Sequence, residues 1–318
     1  MTTKSRWNNF SYIDYINVSD IEIKNLPSGI NVSTMSASCK LNTCIDIGNI
    51  ENYLPLNTND IITVKMSNEK IRTLETIKVK TKRKKKIDDK PKNDTSKNHF
   101  YNQITVIVRV SNDSYKDLSD EPKINMKLFK NGSIQMSGCK TIKNINIALN
   151  KLIVRLSEIK AIREDNIIIE KKFIDNFKDI TVKDFKINMI NSNYQVNINI
   201  DRDKLYSLLN KKKIKCLYEP CIRACVIIKY IPIEDNIDQK IVSIFIFQKG
   251  NIIITGSRSR NHILSAYKYI NNILLTHIDD ITKKNNDDEN EILNIYSDII
   301  NEIDMGIIKL NKEDYLYV

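Results

Sequence analysis

The side chains able to do metal or thiol chemistry are few and poorly spaced for it. The cysteines are Cys39, Cys44, Cys139, Cys216, Cys221 and Cys225, and the histidines are His99, His262 and His277. No two cysteines form a C-x-x-C pair. Cys216, Cys221 and Cys225 cluster, but their spacing fits no common zinc knuckle and no fourth ligand is near in sequence. They read as buried or idle thiols of a reducing compartment, and no metal is expected. Paired carboxylates in convincing context, a nucleophile–histidine arrangement and a phosphate-cradling glycine loop are not found either. The chain therefore reads as a binding protein, not an enzyme, with no cofactor and no small-molecule ligand.

What remains is the chemistry of binding polyanions. The 318 residues carry 50 Lys and Arg against 39 Asp and Glu, a formal net charge of +11. That balance favours nucleic acid ahead of a membrane surface; the other reading is that Lys is simply frequent in a composition rich in Ile, Asn, Lys and Asp. Lys82–Lys86 is an unbroken basic run. It suits nuclear localisation or phosphate contact, and equally a merely solvated loop. The opening MTTKSRWNNF has charge and Asn where the apolar core of a signal peptide would sit. The most apolar runs, such as Ile241–Phe247, fall far short of the ~20 residues of a membrane span. A soluble intracellular protein is expected, with no membrane partner.

The elements that must present this charge occur twice. Residues 127–155 read KLFKNGSIQMSGCKTIKNINIALNKLIVR, and residues 245–273 read FIFQKGNIIITGSRSRNHILSAYKYINNI. Each block runs apolar strand, glycine turn, second strand, small residue plus glycine, basic residue and amphipathic helix. Gly132 pairs with Gly250 and Gly138 with Gly256, both at an offset of 118 residues, in a chain with only seven glycines. A doubled unit implies one pseudo-symmetric body or two like domains.

Around the blocks, strands are expected at 29–41, 61–66, 104–110, 124–130, 133–137, 185–200, 224–231, 241–247 and 251–255. Helices are expected near 45–54, 143–160, 203–210, 259–276 and 289–303. The organisation expected is a loosely attached arm (1–28), a first repeat (29–161) with a basic insertion at about 67–99, a charged linker (162–184) with one strand at Ile167–Glu170, a second repeat (185–281) and a helical extension (282–318). The fold class is α+β: two units joined side by side into one curved antiparallel sheet, helices on the convex face and the concave face open.

Four strings in order, together with the duplication, resemble the TATA-box-binding protein family. VSTMSASCKLN at Val32–Asn42 is similar to that family's first strand, with its Cys-Lys/Arg-Leu-Asp ending. FKINMINSNYQVNINI at Phe185–Ile200 is similar to the opening of its second repeat. Tyr218-Glu219-Pro220 matches its Tyr-Glu-Pro, and both blocks follow its Phe-x-x-Gly-x-x-x-x-Thr-Gly-x-Lys pattern, with Ser137 for the Thr in the first and Arg258 for the Lys in the second. The resemblance covers roughly 30–160 and 185–280. It implies a saddle that grips the minor groove of A·T-rich promoter DNA and recruits a TFIIB-like factor or RNA polymerase subunits. A·T and T·A look alike in that groove, so an apolar face can tolerate its floor. Phe side chains wedge between base steps, and this family is itself a standard case of such kinking.

Carried over residue by residue, Phe129 and Phe247 take the wedge positions. Phe245, Phe247, Ile253 and Thr255 fall on DNA-facing positions of the second repeat. Lys127, Phe129, Gln135 and Ser137 take the same positions in the first. Arg109 and Lys229 match rim arginines, Lys140 and Arg258 the basic residue after the glycine, and Val32 an apolar groove contact. Aligning VIVRV on VIIKY puts Gln103 and Arg223 where the family has its second wedges. Asn31 and Asn188 stand one residue from the family's central asparagines, whose gapless positions hold Ile30 and Met189. Glu219 matches a partner-contacting residue. The stretches Ser111–Pro122 and Pro232–Gln239 are longer and more acidic than the family's stirrups, and acids repel phosphate. An alternative function follows from these departures: a diverged interaction hub with weak or no TATA-specific bending. The composition suggests a large DNA virus or an AT-rich protist, and a nuclear, viral-factory or virion location.

Overall fold

A computed structural model of the chain describes residues 13–16, 26–66, 70–75, 102–110, 122–176, 180–232 and 240–283. The basic run Lys82–Lys86, most of both stirrup stretches and the helix expected at 289–303 lie outside these residues. The first repeat comprises β1 (Asn31–Leu41), α1 (Ile47–Tyr53), β2 (Ile61–Lys65), β3 (Ile71–Thr73), β4 (Gln103–Arg109), β5 (Lys123–Phe129), β6 (Ser133–Cys139) and α2 (Ile142–Leu156). A hairpin follows, β7 (Ile159–Glu164) and β8 (Ile167–Lys172). The second repeat comprises β9 (Val182–Gln195), α3 (Arg202–Lys211), β10 (Cys216–Leu217), β11 (Cys225–Tyr230), β12 (Val242–Phe247), β13 (Asn251–Ser257), α4 (Arg260–Thr276) and α5 (Ile278–Ile281).

One curved eleven-stranded antiparallel sheet spans both repeats, in the order β10-β11-β12-β13-β9-β1-β6-β5-β4-β2-β3. Its seam is the β1–β9 pair, where Met35 opposes Ile190 and Ser36 opposes Met189. The two halves thus share one platform, and the fold is an α+β saddle.

The period-two pattern of the strands decides which face is covered. Ile104, Val106 and Val108 of β4, Ile124, Met126 and Leu128 of β5, and Ile134 and Met136 of β6 are buried. So are Val242, Ile244 and Ile246 of β12, and Ile252 and Ile254 of β13. The helices cover this face with apolar residues at helical spacing: Ile145, Leu149, Leu152 and Leu156 from α2, and Ile263, Ala266, Ile270 and Leu274 from α4. Each such Ile or Leu contributes about 1.5–3 kcal/mol on burial. Both helices start on a hydroxyl cap. Thr141 Oγ1 accepts from Asn144 N at 3.1 Å and Ser259 Oγ from His262 N at 3.3 Å.

The conserved spacing of the glycines has a steric cause. Gly132 (φ +83°) and Gly250 (φ +76°) close the β5–β6 and β12–β13 turns against the outgoing ends of β1 and β9. Leu41 N donates to Gly132 O, and Val196 N to Gly250 O, both at 2.9 Å. A Cβ would stand 2.7 Å from Leu41 O in one repeat and 2.8 Å from Ile198 O in the other. Only glycine fits there.

Three expectations need correction. The charged linker's one expected strand, Ile167–Glu170, lies within β8 and has a partner, β7, in a hairpin turned at Asp165 and Asn166 (φ +48° and +65°), with Phe173 behind it fully buried. The apparent insertion begins with a strand. β3 pairs with β2, and Arg72 caps the end of α1 by donating to Glu51 O and Leu54 O, each at 2.7 Å. The N-terminal arm is docked where it is described. Asn146 and Asn150 of α2 each bond both ways with its backbone: Asn146 with Ile16 N and O, Asn150 with Ile13 N and O. Ile16 is buried beneath. Polar sequence concealed β3 and the docked arm, because side-chain–backbone pairing and small apolar anchors leave no periodic signal.

Candidate nucleic-acid interface

The face opposite the helices is built from the other residue of each strand pair. Ladder register sorts its side chains into rows running across the strands. In the second repeat, Cys225 stands across from Phe247. Next come Ile227, Phe245, Ile253 and Asn193, aligned through three successive pairings. Lys229, Ser243 and Thr255 form the third row, which Asn191 extends by hydrogen-bonding to Thr255 Oγ1. In the first repeat, Gln103 stands across from Phe129. Then come Thr105, Lys127, Gln135 and Ser38, followed by Ile107, Asn125, Ser137 and Ser36.

Phe129, Phe245 and Phe247 are all half-buried. Nothing on the helix side needs them. Phe129 borders a surface hollow of about 400 Å³ shared with Cys44, Asn102, Lys130 and Asn131. A hollow of about 290 Å³ lies at the equivalent turn of the second repeat, against Gln248 and Lys249. Ile253 and Thr255 are half-buried, whereas Gln135, Ser137 and Lys127 are exposed.

The seam carries three register shifts, at Val32/Thr34, Ser36/Ala37 and Ser38/Lys40, and the first two decide where several predicted residues point. Pairing skips Ser33 between Val32 and Thr34, and skips Asn188 between Ile187 and Met189. A one-residue bulge inverts the alternation beyond it. Asn188 therefore reaches the open face, where Ser38 Oγ donates to its Oδ1 at 3.2 Å. Met189 and Asn191 join it there, and Thr255 Oγ1 lies 3.6 Å from Met189 Sδ. Asn31 opposes Asn193 and is exposed. Val32 turns to the other side: it opposes the fully buried Ser192 and packs against the core, so it is not a groove residue. The bulges have no signature in sequence, so Asn191, Asn193, Ser36 and Ser38 do not emerge from it as face residues.

The basic residues divide. Arg109 is not at the rim. It is 6% exposed and donates to Thr58 O at 3.0 Å and to Glu75 Oε1 at 3.2 Å. Glu75 anchors it together with Lys123, whose hydrogen bond and charge hold the Glu75 carboxyl below its usual range. Lys229 is on the open face, donating to Ser243 Oγ at 2.8 Å. Lys140 and Arg258 are exposed at the strand–helix corners, each one residue before a helix cap.

Register also corrects the second-wedge alignment. Gln103 opposes Phe129, but Cys225, not Arg223, opposes Phe247. The matching strings VIVRV and VIIKY thus sit two residues out of step in the ladder, because hydrogen bonding between strands, not string similarity, fixes register. Burial pushes the Cys225 thiol up, with Arg223 and Arg202 opposing it, which leaves a neutral side chain beside Phe247. Arg223 instead pairs with Glu219 at 3.8 Å on the exposed loop before β11. Among the described residues no three His, Cys, Asp or Glu side chains gather as a metal site, and no helix is long and apolar enough to cross a membrane.

This arrangement can be set beside known proteins. A family model described as transcription factor TFIID (or TATA-binding protein, TBP) matches residues 184–277. A "TATA-box-binding protein-like" protein of Acanthamoeba polyphaga mimivirus is 36% identical over 257 residues, covering 77% of this chain. The chain spans 65% of the length of that relative. Among solved structures, Methanococcus jannaschii TBP aligns with a TM-score of 0.44 at 17% identity, covering 76% of this chain and 95% of that one.

Proposed function

We propose, from the premise that this chain is a diverged TBP-like protein, that it binds the minor groove of A·T-rich promoter DNA and recruits the transcription initiation machinery. The observation that carries the reading is the uncovered face of one sheet shared by both repeats, with Phe129 and Phe247 at equivalent turns. The apolar patch of Phe245, Phe247 and Ile253 suits a groove whose floor presents few donors. Phe247, with Phe245 and Ile253 beside it, and Phe129 insert at base steps. The unstacking costs about a few kcal/mol per step, repaid by the protein surface that the bent duplex reaches. Lys127, Lys229, Lys140 and Arg258 neutralise phosphate. Asn31, Asn188 and Thr255 offer hydrogen bonds to base edges near the seam. Glu219, with Arg223, presents a charged loop to a TFIIB-like factor or polymerase subunit.

The test is duplex binding at rising salt with A·T-rich and G·C-rich DNA, coupled to a bend measurement. Binding should weaken steeply, with a log–log slope of about −0.9 per neutralised phosphate. Phe247→Ala should reduce the bend and cost about 1–3 kcal/mol, the range for losing base–aromatic stacking. An unchanged bend angle in both Phe129→Ala and Phe247→Ala rejects the wedge roles. The second reading, a protein-interaction hub with little bending, is favoured by Gln103 and Cys225 at the second-wedge positions. It predicts capture of initiation factors without DNA by a protein that binds both duplexes weakly and alike.

A further inference from the structure

The two repeats share a backbone but not a surface. At matched ladder positions the open face of the second repeat holds Ile227, Phe245 and Ile253, where the first holds Thr105, Lys127 and Gln135. The contrast stops at the seam, where Ser38 completes the first-repeat row and Asn193 the second, both polar. Gln135 and Lys127 are exposed and Ile253 is half-buried. The side chains of β5 and β6 on this face are free of the core, so their polarity is not a packing requirement.

Minor-groove chemistry makes this difference matter. Every A·T pair presents only acceptors there, while G·C adds the guanine N2 amino donor in mid-groove. Under Ile253 and Phe245 that amino group loses its water and finds no acceptor, and an unpaired buried donor is penalised. Under Gln135 it meets an amide oxygen able to accept, with the hydroxyls of Ser137 and Ser38 in the adjacent positions. Lys127 has no acceptor but donates to the N3 and O2 acceptors that every pair presents, or to phosphate.

Resting on the proposed DNA-binding reading, we infer that this protein recognises a bipartite site in one orientation. The second repeat requires A·T pairs and the first repeat accepts G·C. Ile253 and Gln135 are the residues that set the two preferences.

The full chain is titrated by fluorescence anisotropy against three short duplexes at one fixed salt concentration. One is A·T throughout, one has G·C pairs in one half only, and one has G·C pairs in both halves. The first two should bind alike, because the protein can turn its first repeat to the G·C half, and the third about tenfold or more weaker. A cleavage probe on the exposed Cys221, in a Cys44→Ser background, should cut the half-substituted duplex only on its A·T side. Gln135→Ile should weaken the half-substituted duplex about tenfold relative to the same variant's own A·T duplex, a gap that the unaltered protein shows only for the third duplex. Ile253→Gln should raise the third towards the others. Unfolding curves of both variants serve as the folding control. Equal affinity for all three duplexes, or equal loss with one and both halves substituted, overturns the inference while leaving duplex binding intact. Absence of binding to all three overturns the DNA-binding reading along with it.

Discussion

Replacing Gly250 with alanine tests the pseudo-symmetric architecture directly. The residue has φ +76°, and an added Cβ would stand 2.8 Å from Ile198 O and closer still to Val196 O. Both obstacles are backbone carbonyls, so no side-chain rotation relieves them. The left-handed conformation alone costs an L-residue roughly 1–2 kcal/mol, and forced overpacking typically adds about 1–3 kcal/mol. Gly29 separates the two terms, for it has φ +92° with nothing within 4 Å of the added Cβ. Gly29→Ala should therefore cost about 1 kcal/mol, and Gly250→Ala about 3 kcal/mol. In a chain of this size that corresponds to drops in Tm of roughly 2–4 °C and 6–12 °C. Gly132→Ala should match Gly250→Ala, since its Cβ would meet Leu41 O at 2.7 Å. Differential scanning calorimetry of the three variants checks the set. If Gly250→Ala were as mild as Gly29→Ala, the turn would not press on the end of β9. The placement of Phe247, three residues before it, would lose its support.

Two further outcomes follow from the interior. Asp60 is fully buried and its Oδ2 accepts from Arg155 Nε at 2.9 Å and Nη2 at 2.6 Å; Asp60→Ala should cost about 3 kcal/mol in urea unfolding by leaving those two donors without their acceptor while Glu158 keeps Nη1, and Asp60→Ala/Arg155→Ala should cost clearly less than the sum of the single changes. Burial pushes the Cys39 and Cys139 thiols up to about 12, so both stay protonated near neutral pH; because the thiolate is the reactive species, an alkylating reagent should modify exposed Cys44 and Cys221 quickly and reach Cys39 and Cys139 only on unfolding, as read by peptide mass mapping.

Much of the scaffold was legible because it is locally encoded. The alternation of Ile244, Ile246, Ile252 and Ile254 with Phe245 and Ile253 and the glycines at an offset of 118 each act within a few residues of themselves. Repetition of the same local code implied the same unit twice. Phe129 and Phe247 could be placed on the open face for the same reason, since strand period alone separates them from the buried Leu128 and Ile246.

Tertiary structure alone decided what depends on pairing between distant strands. The bulges at Ser33 and Asn188 put Asn188 on the open face and turned Val32 to the side that packs against the core. Ladder register set Cys225, not Arg223, against Phe247. Arg109 looked like a rim cation until Thr58 O and Glu75 claimed its guanidinium. In each case the outcome is fixed by hydrogen bonds between residues far apart along the chain, and a strand can slip by one residue without altering its own composition. Residue type and local spacing therefore specify which groups the chain carries, while non-local backbone pairing specifies which of them meet a ligand.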